Sequence, residues 1–180
     1  RLTLHPHGCR VVQKLLEELP TDRQVAFCSG LRGHVVQCVE SQHGNHVIQK
    51  LVERLPPQSA QFIVDEVCSS IEMLCSHVFG CRVVQRILEH GIAHQLGQVL
   101  DYVLCNLHKL SREQYGKYVV EHVLEHGRRE DRSRILVLII QKPFEIACHK
   151  YGASVVEKML LLGSPEERKQ VVAALLADPK

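Results

Sequence analysis

The stretch "HPHGCRVVQKLLE" at residues 5–17 contains a hexamer, Gly8-Cys9-Arg10-Val11-Val12-Gln13, that returns at residues 80–85. A short segment mixing apolar, amide and cationic side chains recurs in this way when a chain is built from copies of one unit. Aligned on their glycines, Gly8, Gly44, Gly80, Gly116 and Gly152, five copies follow one another at a constant spacing of 36 residues. Counting from each glycine, position +3 holds Val11, Val47, Val83, Val119 and Val155, and +4 holds Val12, Ile48, Val84, Val120 and Val156. Positions +7 and +8 hold Leu15/Leu16, Leu51/Val52, Ile87/Leu88, Val123/Leu124 and Met159/Leu160. At about 100° per residue these four positions share one face of an α-helix.

A second apolar stripe at +19, +20 and +23 runs Phe27/Cys28/Leu31, Ile63/Val64/Val67, Val99/Leu100/Val103, Ile135/Leu136/Ile139 and Val171/Val172/Leu175. It predicts a second long helix in each period, and a shorter apolar segment such as "SIEMLCSHVFG" at 70–80 predicts a short third one. Pro20, Pro56, Pro57 and Pro165, with Gly91, Gly127 and Gly163, separate the helices. One such unit cannot bury its stripes alone, whereas stacked neighbours can. The expected fold is therefore an all-α solenoid of five three-helix repeats, forming one array over residues 1–180. The abrupt first residue, Arg1, reads as the start of a fragment of a longer domain.

Composition narrows the function without naming it. A formal net charge of +2 announces no global positive field, yet a local basic groove is compatible with it. The eight cysteines form no Cys-x-x-Cys pair, and neither they nor the twelve histidines are clustered as zinc ligands, so no metal and no cofactor are expected. Most cysteines lie in apolar runs and read as buried, reduced thiols of a cytoplasmic protein. His5, His43, His77 and His149, close to the motif glycines, read as packing or capping residues. The longest aliphatic run, Ile135–Ile140, is far below the ~20 residues of a membrane span. No nucleophile–base arrangement, paired carboxylates or phosphate-cradling loop is present at fixed spacing, so no enzyme is expected.

The polar face of the motif helix carries the informative residues. With +1 set at 0°, the apolar positions fall between roughly 200° and 340°, and +1, +2, +5 and +6 between roughly 0° and 140°. Positions +1, +2 and +5 read Cys9-Arg10-Gln13, Asn45-His46-Gln49, Cys81-Arg82-Gln85, Lys117-Tyr118-Glu121 and Ala153-Ser154-Glu157. Residues +1 and +5 lie one turn apart and can meet one planar edge together. Amides offer both donors and acceptors, which suits a base edge. Arg, His and Tyr at +2 are flat groups able to stack on a base. Position +6 holds Lys14, Lys50, Arg86, His122 and Lys158, a candidate rim for a phosphate backbone. Solvation alone gives no reason for planar groups to recur at +2, or for Gln or Glu alone at +5.

The segments "HGNHVIQKLVE", "FGCRVVQRILEHG" and "YGKYVVEHVLEHGRREDRSRI" resemble repeats of the Pumilio-homology (PUF) family of single-stranded RNA-binding proteins. The resemblance covers the whole chain and implies a right-handed α-solenoid whose five repeats correspond to the third through seventh of eight. It implies one base read per repeat by two or three side chains on the concave face, antiparallel to the RNA. It also implies binding to messenger RNA 3′ untranslated regions and control of translation or decay through protein effectors, by a monomer without membrane contact. In the family, Cys or Ser with Gln reads adenine, Asn with Gln reads uracil, and Ser with Glu reads guanine. Repeats three, two and one then read 5′-A-U-A-3′. Two repeats depart from the pattern. Lys117 replaces the small or amide residue at +1 and can pair with Glu121, while Ala153 offers no polar atom and Ser154 cannot stack. Only Glu157 still points to guanine.

A second reading stays open on the sequence alone, an armadillo- or HEAT-like module that holds a peptide in its groove. The small net charge suits it; the planar +2 residues and the +5 amides do not. A nucleolar relative binding structured RNA is a third reading, which the three matching trios disfavour.

Overall fold

A computed structural model of the chain describes residues 1–177, and every regular element among them is helical. The first repeat comprises a 3-10 turn (Leu2–Leu4), α1 (Gly8–Glu18) and α2 (Thr21–Ser29). The second has α3 (Val35–Glu40), α4 (Gly44–Arg54) and α5 (Pro57–Ser69), and the third α6 (Ile71–Cys75), α7 (Gly80–His90) and α8 (Ala93–Cys105). The fourth has α9 (Leu107–Ser111), α10 (Gly116–His126) and α11 (Arg129–Gln141), and the fifth α12 (Pro143–Ala147), α13 (Gly152–Leu162) and α14 (Pro165–Ala177). Each motif glycine is the first residue of its motif helix. No helix among the described residues is long and apolar enough to cross a membrane.

The recurring glycine has a steric cause. A Cβ on Gly80 would stand 2.4 Å from the carbonyl oxygen of Leu74 in α6, and one on Gly152 would stand 2.3 Å from that of Ile146 in α12. The start of the motif helix is pressed onto the backbone of the short helix six residues earlier, closer than any side chain permits. The same junction is closed by a cap three residues before the glycine. His77 Nδ1 accepts the N–H groups of Phe79 and Gly80 at 3.2 Å each, and His5 Nδ1 those of His7 and Gly8 at 3.2 and 3.1 Å. In the second repeat Ser41 Oγ does the same for His43 and Gly44, and His149 Nδ1 accepts from Tyr151. These acceptors satisfy N–H groups that every helix leaves open at its start. Of the four histidines expected to cap or pack, His5, His77 and His149 cap; His43 yields that role to Ser41.

The chain forms two compact units, Arg1–Val99 and Leu100–Lys180. In the first, α1, α4 and α7 stack in order, with α3 and α5 packed against them. Val47, Ile48, Leu51, Val83, Val84 and Ile87 are fully enclosed there. In the second unit α10 packs on α13 and α11 on α14, around Val119, Val120, Ile135, Ile139 and Val155.

Four expectations need correction. Val11 and Leu15 are 55% and 45% exposed, because positions +3 and +7 face the preceding motif helix and, among the described residues, no helix packs on that side of α1. In the last repeat Val172 is 44% exposed, on a side where no further helix packs among the described residues. The helix carrying the second stripe of the first repeat ends at Ser29, so Leu31 is buried from a turn rather than from α2. Gly33 bends that turn at φ 77°, and Glu66 of α5 fixes it by accepting the N–H groups of Gly33 at 2.7 Å and Val35 at 3.0 Å. All eight cysteines are free thiols; Cys9, Cys28, Cys38, Cys75 and Cys81 are buried as expected, but Cys105 and Cys148 are exposed. Burial pushes the Cys28 thiol up to about 11.

Two substitutions test this packing. Gly80→Ala is expected to cost about 1–3 kcal/mol through overpacking. Gly97→Ala, in the interior of α8 where an added Cβ meets nothing within 4 Å, should gain about 0.5–1 kcal/mol. Denaturant unfolding of both variants measures the difference, and equal shifts would remove the close-approach argument. Val83→Asp places a carboxylate at a site with 0% exposure and should cost several kcal/mol, about 2–7, read as a lowered unfolding midpoint.

Candidate nucleic-acid interface

The motif helices hold the +1, +2 and +5 side chains in three different environments. At +1 the side chains lie deep. Cys9, Asn45 and Cys81 are 4%, 0% and 2% exposed. Each is tied to the turn before its helix, the Cys9 thiol donating to Pro6 O, the Cys81 thiol to Val78 O and the Asn45 amide to Ser41 O. Burial pushes the Cys81 thiol up, which keeps the proton it donates. At +2, Arg10, His46, Arg82 and Tyr118 are exposed and point outward, while Ser154 is half-buried. At +5, Gln13, Gln49, Gln85 and Glu121 are half-buried and Glu157 is exposed. In the first three repeats the +1 residues thus form a floor, the +2 residues form walls, and the +5 residues stand at the edge.

The first two repeats enclose a cleft of about 510 Å³ lined by Pro6, His7, Cys9, Arg10, Gln13, His43 and His46. Its residues include the complete +1/+2/+5 trio of the first repeat and the +2 residue of the second. A flat group inserted here would have Arg10 and His46 beside its faces, with Cys9 and Gln13 at its edge. Pro6, His7 and His43 were not singled out by the helix pattern, since they lie in the turns that precede the motif helices.

Asn45 departs from its expected place. The sequence puts it beside Gln49 at one exposed edge, but its amide is wholly enclosed and its Oδ1 accepts from Gln49 Nε2 at 2.9 Å. Gln49 is the amide of that pair that retains exposure, and Asn45 orients it.

The +6 row is also different from a bare cationic rim. Lys14 pairs with Glu17 at 3.5 Å and Glu18 at 2.7 Å; Lys50 pairs with Glu17 at 3.4 Å and Glu53 at 3.1 Å. Arg86 pairs with Glu89, and Lys158 reaches across from its own repeat to Glu125. That hydrogen bond from Lys158 holds the Glu125 carboxyl below its ordinary range. His122 is buried at 7% exposure against His126, with ring centroids 4.7 Å apart, and does not belong to an exposed rim. The missed signal is position +9, which is Glu17, Glu53, Glu89 and Glu125 in the first four repeats. A carboxylate three residues after each +6 position answers the charge there.

In the fourth repeat Lys117 and Glu121 do meet, with Nζ and Oε1 3.7 Å apart, and Ser154 of the fifth repeat joins them. Ala153 is half-buried and contributes no polar atom. Among the described residues no group of three or more His, Cys, Asp or Glu side chains could hold a metal ion.

Comparison with known proteins identifies this architecture. The model of the Pumilio-family RNA binding repeat matches residues 1–28, 34–68, 70–104, 106–140 and 144–176, skipping the turn around Gly33. None of the curated proteins compared with the chain matches it. Among solved structures, the chain is 38% identical to PUF-8 in complex with PBE-RNA, at a TM-score of 0.91, over 96% of this chain and 51% of that one. It is 33% identical to the Puf4 RNA binding domain bound to the HO endonuclease RNA 3′ UTR recognition sequence, at a TM-score of 0.91, covering 98% and 56%. The yeast Puf5p RNA-binding domain bound to MFA2 RNA, at 16% identity and a TM-score of 0.83 over 98% and 51%, shares the fold. The chain spans about half the length of these solved chains. With five matched repeats covering nearly all of its residues, this all-α solenoid belongs to the Pumilio family of RNA-binding repeat proteins.

Proposed function

We propose that the motif-helix face of this protein binds single-stranded RNA sequence-specifically, one base per repeat and antiparallel, with repeats three, two and one reading 5′-A-U-A-3′. The observation that carries the reading is the cleft between Arg10 and His46, whose floor and edge are Cys9 and Gln13. It offers two planar side chains for stacking, at about 1–3 kcal/mol per base for aromatic partners. Its edge group is an amide with donors and an acceptor to match a base. In this reading the base contacts of the first three repeats come from Cys9, Arg10 and Gln13, from His46 and Gln49 with Asn45 behind them, and from Cys81, Arg82 and Gln85. Tyr118 offers a stacking face, and Glu157 favours guanine at the fifth repeat.

The paired +6 and +9 side chains bear on affinity. Phosphates passing along this row meet cations that already have carboxylate partners, so recognition rests on the bases more than on a field. The Puf4 relative is bound to a 3′ UTR recognition sequence. By that likeness we assign to this protein the 3′ untranslated regions of messenger RNA as targets. We extend the assignment to cytoplasmic control of translation or stability with protein effectors, and to a single continuous array that forms part of a longer repeat domain.

Competition binding with an A-U-A oligonucleotide and its C-C-C counterpart tests the reading directly. The first should bind more tightly at physiological salt, and equal affinities would sink it. Gln49→Ala should cost about 1–3 kcal/mol against the uracil-containing target and relax selection at that base alone. Asn45→Ala is the poorer test, because Asn45 is enclosed and its loss would disturb the helix start as well.

Lys50→Ala tests the charge row. A lysine devoted to phosphate contributes about one unit to the slope of log K against log salt. Paired with Glu17 and Glu53, Lys50 should contribute well under that, and affinity for every sequence should fall alike. Salt titrations of wild type and variant measure it, and a full unit of lost slope would show that RNA displaces the carboxylates.

A further inference from the structure

We propose that Ser154 is a positioning residue that closes the reading edge of the repeat before its own and thereby makes the fourth repeat indifferent to the base it meets. This rests on the RNA-reading function proposed above. In the first repeat the space above the trio is an open cleft with a planar +2 residue on either side. In the fourth, three side chains are bonded to one another. Lys117 Nζ donates to Ser154 Oγ at 2.9 Å, and Ser154 Oγ lies 2.6 Å from Glu121 Oε1. The hydroxyl has a single proton and a second acceptor, Tyr151 O, at 2.9 Å. A carboxylate is the stronger acceptor and takes it, so Ser154 stands as a bridge between ammonium and carboxylate.

The bridge occupies the edge groups that the open cleft leaves available. Lys117 and Glu121 keep only 16% and 13% side-chain exposure. Lys117 Nζ also sits 4.8 Å from the Tyr118 ring centroid, against the one planar group this repeat provides. Where the second repeat sends His46 to wall the slot of the first, the fifth sends a hydroxyl into the floor of the fourth. An incoming base would have to break a charge-assisted network to reach Glu121, and no base edge repays the loss of both partners. The silencing therefore depends on a side chain of the next repeat as well as on the +1 and +5 pair.

The test uses the full chain and a set of oligonucleotides that hold A-U-A constant and vary the base immediately 5′ of it. Wild type should bind all four within about threefold, short of the tenfold that 1.4 kcal/mol would give. Ser154→Ala removes the bridge and leaves Glu121 with lone pairs free. It should then favour guanine and uracil, which carry an imino N–H on the pairing edge, over adenine and cytosine by about fivefold or more, the low end of a good base contact. Ser154→Thr keeps the hydroxyl and should remain as indifferent as wild type. The proposal is overturned if Ser154→Ala stays within threefold for all four bases, if Ser154→Thr behaves like Ser154→Ala, or if wild type already discriminates. Selection at the A-U-A positions serves as the internal reference. Its presence with an unchanged fourth position rejects the bridge alone, and its absence in wild type rejects the RNA-reading function and the bridge with it.

Discussion

The contact on which this structure depends is the one between each motif glycine and a carbonyl oxygen of the short helix before it. At Gly80 and Gly152 the approach leaves no room for a Cβ. It fixes the angle at which the motif helix leaves the short helix, and the cap supplied by His5, Ser41, His77 or His149 holds that angle. The direction of the motif helix then settles which positions look back at the preceding repeat, which face the repeat's own core and which face outward. Because the contact recurs every 36 residues, the orientation recurs with it, and within each compact unit a row of equivalent side chains results.

That row is graded in depth rather than flat. The +1 side chains are pinned to the turn that the glycine closes, so a cysteine or asparagine there forms a floor with its polar atom already occupied by backbone. The +2 side chains of the first three repeats are exposed, and the +5 side chains sit between. A base entering such a row meets stacking surfaces first and an amide edge second. Charge plays a smaller part, because the +6 cations are answered by the +9 glutamates in their own repeat or the adjacent one. A small net charge and membership of an RNA-binding repeat family are therefore compatible, because the row offers flat faces and hydrogen-bonding edges with little long-range field.

The fourth repeat changes its outward face without losing packing. Val119, Val120 and Val123 are as enclosed as their counterparts in the second repeat, so the departures at Lys117 and Glu121 leave the core untouched. They alter only the outward face, where the half-buried Ser154 of the next repeat completes a closed network. Neighbouring repeats are thus chemically coupled along the row, although each follows the same backbone plan.

The repeat, its period, the helical faces and the identity of the trio at each site are legible in the order of residues alone, because apolar burial imposes a 3.6-residue rhythm that any helix with one buried side must display. The family resemblance was legible for the same reason, since the trios fall at fixed places in that rhythm. What each polar residue touches is set by the packed fold. Asn45 was expected at an open edge and lies enclosed; Lys50 and Arg86 were expected to form a rim for phosphate and pair with glutamates; Ser154 was expected only to be unable to stack, and it bridges Lys117 to Glu121. A helical wheel assigns direction around one axis, whereas depth and partners depend on the turn before the helix and on the next repeat. Val11 and Leu15 make the same point for the core: their pattern matches that of buried residues, and burial itself comes from a neighbour that they lack here.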